Sequence, residues 1–118
     1  MPHMTLEYSG NLSGLDVRQA LMSLNATLLD SGHFDGPDIK SRAIPLEDFL
    51  VGDGIQSAAF MHVTLRLIAG RTSETRGSLA SALLKVLTGI QPRIASRSTQ
   101  LSVEVIELDS VVYAKAIV

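Results

Sequence analysis

Ala58-Ala-Phe-Met-His-Val-Thr-Leu-Arg-Leu-Ile68 alternates without a break. Ala59, Met61, Val63, Leu65 and Leu67 fall on one side, and Phe60, His62, Thr64 and Arg66 on the other. That two-residue period is the mark of a strand with one buried face. Downstream, Gly70-Arg-Thr-Ser is a turn, and Thr72 or Ser73 is placed to cap a helix. In that helix Leu79, Ala82, Leu83, Val86, Leu87 and Ile90 form an apolar stripe, which Pro92 ends or closely follows. Gln100 to Glu107 returns to the strand period, with Leu101, Val103 and Val105 on one side. The unit is strand, helix, strand.

The first half of the chain has the same grammar. Pro2, Met4, Leu6 and Tyr8 alternate with His3, Thr5 and Glu7. Ser13-Gly-Leu-Asp16 has the form of a capping box before a helix. Behind it Val17, Ala20, Leu21, Leu24 and Leu28 recur at helical spacing, until Ser31-Gly32 ends the run. Ile39 to Ile44 reads as a short strand, Pro45 to Gly54 as a connecting loop, and Val111 to Val118 as a short apolar C-terminal strand. Residues 1–118 therefore read as one domain of two β-α-β pseudo-repeats, roughly 2–45 and 58–107. The expected class is α+β, a four-stranded mixed sheet with two helices on one face. Leu6, Tyr8, Phe60 and Ile106 lie at or beside the other face, where an oligomer interface is expected to cover them.

Composition narrows the function. The 118 residues carry a net charge of −2 and no basic tract, so the footprint of a nucleic-acid binder is missing. There is no cysteine, which excludes disulfides, thiolate catalysis and cysteine-based zinc sites. No apolar run reaches the roughly 18 residues of a membrane span, and no signal-peptide pattern opens the chain. A cytoplasmic protein without membrane contact is expected.

Met1-Pro2 is the chemically distinctive dipeptide. Aminopeptidases remove a methionine readily from in front of a residue as small as proline. Pro2 would then be a secondary amine at the head of a strand. A free α-amino group titrates near pH 8, and burial or a neighbouring cation pulls it toward 7, where it serves as a general base. Met-Pro alone also fits a chain end with no chemical role.

Met-Pro-His-Met-Thr-Leu-Glu-Tyr-Ser, Ile39-Lys-Ser-Arg-Ala43, Ala59-Phe-Met-His-Val-Thr-Leu-Arg66 and Ala69-Gly-Arg-Thr-Ser-Glu-Thr-Arg76, in that order, resemble 5-carboxymethyl-2-hydroxymuconate isomerases. That family lies in the tautomerase superfamily, with 4-oxalocrotonate tautomerase and macrophage migration inhibitory factor. The resemblance runs from residue 2 to about residue 107. It implies a β-α-β pseudo-repeat, a homotrimer, and cofactor-free proton transfer on a dienol polycarboxylate in aromatic-acid breakdown. It also implies Pro2 as the base and Arg71 as its catalytic partner, from the match to the family's Gly-Arg-Ser segment. Arg42 matches the second arginine of the family's Arg-Ser-Arg segment, and Lys40 replaces the first. Both are candidates to hold substrate, and two positions apart on a strand they face the same side. Lysine is a point charge where the guanidinium fork would grip a carboxylate with two bonds, so the replacement bears on which substrate fits. A promiscuous tautomerase of other keto-enol acids and a non-catalytic trimeric homologue are the alternatives.

The remaining polar residues carry less. His62 reads as a satisfied core or interface histidine and His3 as structural. His33 has no partner at metal-ligand spacing, and no metal is expected. Arg76 reads as solvated, with pairing to Glu74 or to substrate as the alternatives, while Glu7 and Glu104 are placed to pair with Arg66. Serine-hydrolase elbows and phosphate loops are absent.

Overall fold

Residues 1–92 and 97–118 are described by the computed structural model. They trace β1 (His3–Ser9), α1 (Val17–Asp30), β2 (Lys40–Leu46), β3 (Ala58–Ile68), α2 (Ser73–Ile90) and β4 (Ser98–Leu108). The four strands form one mixed sheet in the order β2-β1-β3-β4. Each half contributes a parallel pair, β1 with β2 and β3 with β4, and the halves join where β1 runs antiparallel to β3.

Strand alternation decides which side is dry. Met4 and Leu6 of β1 and Ala59, Met61, Val63, Leu65 and Leu67 of β3 are buried on the helix side. Ala20, Leu24 and Leu28 of α1 and Leu79, Leu83 and Leu87 of α2 close over them. Each fully buried leucine of this kind contributes about 1.5–3 kcal/mol of transfer free energy. With no tryptophan and few aromatics, aliphatic packing supplies nearly all of the core.

Several expectations are corrected. The first helix has no capping box at Ser13. Asp16 is itself the N-cap, its Oδ1 accepting the Gln19 amide at 3.1 Å. Pro45 belongs to β2 rather than to a loop, because β2 is an edge strand and a missing N–H there breaks no ladder. Residues 111–118 are no strand. Asp109 accepts the Val111 amide at 3.0 Å, caps a 3-10 turn at Ser110–Val112, and turns the chain off the sheet. The face away from the helices is also different from the expected apolar surface. Leu6 is in the core and Tyr8 packs against it, whereas Phe60 and Ile106 do lie on that face, half-buried, among Thr5, Glu7, His62, Thr64, Arg66 and Glu104. Exposed large apolar side chains cluster instead in the loop before β3, at Leu50 and Ile55, and near the C-terminus at Val111, Val112, Ile117 and Val118. No helix among the described residues is long and apolar enough to cross a membrane.

Candidate active site

Pro2 is buried at the head of β1, and its carbonyl accepts the Lys40 amide at 3.2 Å as the parallel β1–β2 pair begins. Beside it opens a cavity of about 520 Å³ whose lining includes His3, Asp38, Lys40, Tyr113, Lys115 and Ile117. The amino group of Met1, one residue ahead of Pro2, lies close enough to Lys40 and Lys115 to feel both. Burial first, then these two charges, then a hydrogen bond with the Lys40 side chain, hold it below its ordinary basicity. The Lys40 ammonium donates to the Asp38 backbone carbonyl. The Asp38 carboxylate is taken by Lys115 at 3.3 Å, which keeps it more acidic than usual.

His3 stands on the same face as Lys40 and Arg42, which lie opposite His3 and Thr5 in the β1–β2 register. Arg42 donates from Nε to Thr5 Oγ1 at 3.2 Å and approaches His3 Nδ1 through Nη2 at 3.4 Å. A guanidinium can only donate, so Nδ1 is the unprotonated nitrogen and Nε2–H donates to the Tyr113 hydroxyl at 3.0 Å. Burial, and then the Arg42 and Lys40 charges, hold the imidazole below its usual pKa and therefore neutral near pH 7. The Tyr113 hydroxyl keeps its own hydrogen free for another acceptor.

Arg71 is at the same end of the sheet but apart from this cavity. It follows β3, whose last turns pair with the start of β1. Its Nη2 donates to the His33 carbonyl at 3.2 Å, and its guanidinium carbon lies 4.7 Å from the centre of the Phe34 ring. The turn that carries it is firmly built. Gly70 adopts φ of 132°, a conformation that side chains rarely tolerate, and its amide donates to Glu107 at 3.3 Å. Arg76, expected to be solvated or paired with Glu74, meets Glu107 at 3.2 Å and donates to the Arg71 carbonyl at 3.4 Å. Pro2 and Lys40 thus meet through the backbone where β1 and β2 begin. Pro2 alternates onto the buried face with Met4, however, while Lys40 and Arg42 share the face of His3 and Thr5. Arg71 stands beside Phe34 at the same end, apart from them.

Elsewhere on the open sheet face, His62 joins Ser102 through Nδ1 at 2.7 Å and Glu104 through Nε2 at 2.9 Å. Glu104 was expected to meet Arg66. Glu104 sits opposite Thr64, two residues from both His62 and Arg66, and the pair it makes is with His62. Serine, histidine and glutamate stand in a row there, but on strands outside the cavity. Among the described residues no group of three or more His, Asp or Glu side chains could hold a metal.

The sequence profile of the 5-carboxymethyl-2-hydroxymuconate isomerase family matches residues 2–117. The chain belongs to that family. An Escherichia coli 5-carboxymethyl-2-hydroxymuconate Delta-isomerase is 32% identical over 110 residues, or 92% of this chain and 87% of its own. A solved 5-carboxymethyl-2-hydroxymuconate isomerase from Deinococcus radiodurans R1 superposes with a TM-score of 0.90 at 33% identity, over 98% of this chain and 88% of its own. The fold extends to a fused 4-OT symmetric trimer, at a TM-score of 0.77 and 16% identity over 97% of this chain and 91% of that one. The family is one of isomerases, and the four-stranded sheet with its two helices is the tautomerase-superfamily fold.

Sequence reasoning missed Tyr113, Lys115 and Asp38 as parts of the cavity. One signal was available: Tyr113 and Lys115 interrupt an otherwise apolar run two residues apart, so an extended segment puts both on one side.

Proposed function

We propose that this isomerase-family chain is a cofactor-free 5-carboxymethyl-2-hydroxymuconate Delta-isomerase-like tautomerase with Pro2 as its general base. Removal of Met1 hands the amino group to Pro2, which then accepts the proton of a dienol 2-hydroxyl. The oxygen's electrons become the new carbonyl, the double bonds shift along the chain, and the distal carbon takes the proton back from the prolinium. No atom is lost and no oxidant is needed. Lys40 and Arg42 hold carboxylates, and Arg71 polarises the reacting end. Support comes chiefly from the place of Pro2, buried at the head of β1 where its carbonyl meets the Lys40 amide. It comes also from the Met1 amino group one residue ahead, which burial and then Lys40 and Lys115 hold below ordinary basicity. A base near neutrality is what the transfer requires. Processed Pro2→Ala protein, which retains only a more flexible primary amine, should ketonise dienol carboxylates about 10²–10⁴-fold more slowly. Wild-type rates from that variant would remove the proline from the mechanism.

The same reading makes the protein a homotrimer. Leu50, Ile55, Val111, Val112, Ile117 and Val118 offer apolar surface that assembly would cover, and the fused 4-OT neighbours are trimers. Sedimentation at micromolar concentration should give three times the chain mass; a stable monomer would refute it.

A further inference from the structure

We propose that Lys115, carried by the C-terminal segment, binds a substrate carboxylate and forms with Lys40 a two-cation clamp from which the substrate displaces Asp38. The proposal rests on the tautomerase reading for its substrate class, a small unsaturated acid with two or three carboxylates.

Charge balance is the first argument. The cavity lining holds two cations, Lys40 and Lys115, and one carboxylate, Asp38. That carboxylate sits on Lys115, whereas Lys40 has no carboxylate partner among the described residues and meets the Asp38 backbone carbonyl. Around them stand the amino terminus and neutral His3, with the Arg42 charge behind the imidazole. The cavity is therefore net positive and suited to an anion carrying more than one charge. A lone carboxylate could be met by Lys40. A second one at the same end calls for Lys115.

Ease of exchange is the second. The side chains of Lys115 and Asp38 are 34% and 42% exposed, and a pair so exposed is worth about 0–1 kcal/mol. A substrate carboxylate can replace Asp38 at little cost. The segment does not depend on that pair, because the Tyr113 hydroxyl is held by His3 at 3.0 Å with the two rings edge to face at 6.0 Å. Tyr113 thus anchors a wall whose next polar side chain, two residues on, points at the anion. Pro37, Ala114 and Ile117 complete the lining with apolar surface for the hydrocarbon part of the ligand. A volume of about 520 Å³ is ample for a small polycarboxylate.

Calorimetric titration with propane-1,2,3-tricarboxylate, an unreactive acid, tests the clamp without requiring turnover. Lys115→Ala should weaken binding tenfold or more, and Lys115→Arg should restore most of it. Asp38→Asn should tighten binding severalfold, since it removes the competing anion. A purely structural role for the Lys115–Asp38 pair predicts shifts of the same sign for Lys115→Ala and Asp38→Asn. Shifts of the same sign, no shift, or no binding by the wild-type protein at millimolar acid would each overturn the proposal. Wild-type binding with the opposed shifts, but no turnover of any dienol acid, would instead defeat the isomerase reading and leave the clamp standing.

Discussion

The two ends of the sheet are made by the same unit and finish in cavities of similar size, about 520 and 410 Å³. Each cavity opens where a parallel strand pair begins, β1 with β2 at one end and β3 with β4 at the other. Their chemistry is unlike. The first has Lys40, Lys115 and the amino terminus. The second is lined by Val51, Asp53, Ile55, Ala58, Ser98 and Gln100 among others, with Asp53 the one ionisable side chain among the described lining residues. That carboxylate is occupied locally, accepting the Ile55 amide at 3.0 Å. Where β1 starts, the chain can end in an amine; where β3 starts, the chain runs on through a peptide bond. A duplicated fold has two equivalent openings, but one chain has one amino terminus, and Lys40 and Lys115 line the opening where it lies.

Substitutions at the two ends should therefore differ sharply. After Pro2→Ala, Arg71→Ala is expected to cost the most, about 10²–10³-fold in kcat/KM, the usual loss on removing a donor that stabilises developing charge. Because Arg71 is stacked on Phe34 rather than inside the cavity, unchanged kinetics on every dienol acid would show that it only braces the turn. Lys40→Ala should act mainly on KM, raising it about tenfold, as loss of ground-state binding does. Gln100→Ala, at the opposite opening, should change neither constant by more than about twofold. Equal effects from Lys40→Ala and Gln100→Ala, measured by steady-state kinetics with one dienol dicarboxylate, would erase the distinction between the ends.

Much of this was legible because the fold is periodic and the end-group is not. Strand alternation in residues 58–68 and the helical stripe from Leu79 to Ile90 locate the core directly, since burial acts on every second or every third to fourth residue. Pro2 and Lys40 could be placed at one end because parallel pairing brings the starts of β1 and β2 together. The C-terminal segment was not legible. Val111, Val112, Ile117 and Val118 carry the composition of a strand, yet what fixes that segment is side-chain bonding from Tyr113 and Lys115 to residues 110 and 77 positions earlier. No local pattern encodes contacts of that range. Arg76 failed for the same reason, its partner Glu107 lying on the far strand of its own β-α-β unit.

The smallest expected effect is a pH dependence that belongs to the cationic end alone. His3 is held below its ordinary pKa, first by burial and then by Arg42 and Lys40. The unfolded chain, where the imidazole titrates near 6.5, therefore binds that proton more readily than the native protein does. Stability must rise with pH across the interval between the two values, so the contribution is complete above about pH 6.5 and is lost as the pH falls toward the native pKa. Asp38 and Glu104 are also depressed, but as carboxyls they act only below about pH 4.5, in a separate window. His3→Gln keeps an acceptor for Arg42 and a donor for Tyr113 without a titrating ring. Urea midpoints measured from pH 8 to pH 5 should fall for the wild-type protein and stay flatter for His3→Gln. Parallel profiles for the two proteins would mean that the imidazole is not strained by its cationic neighbours, and that the charge gathered at this end is better screened than its geometry suggests.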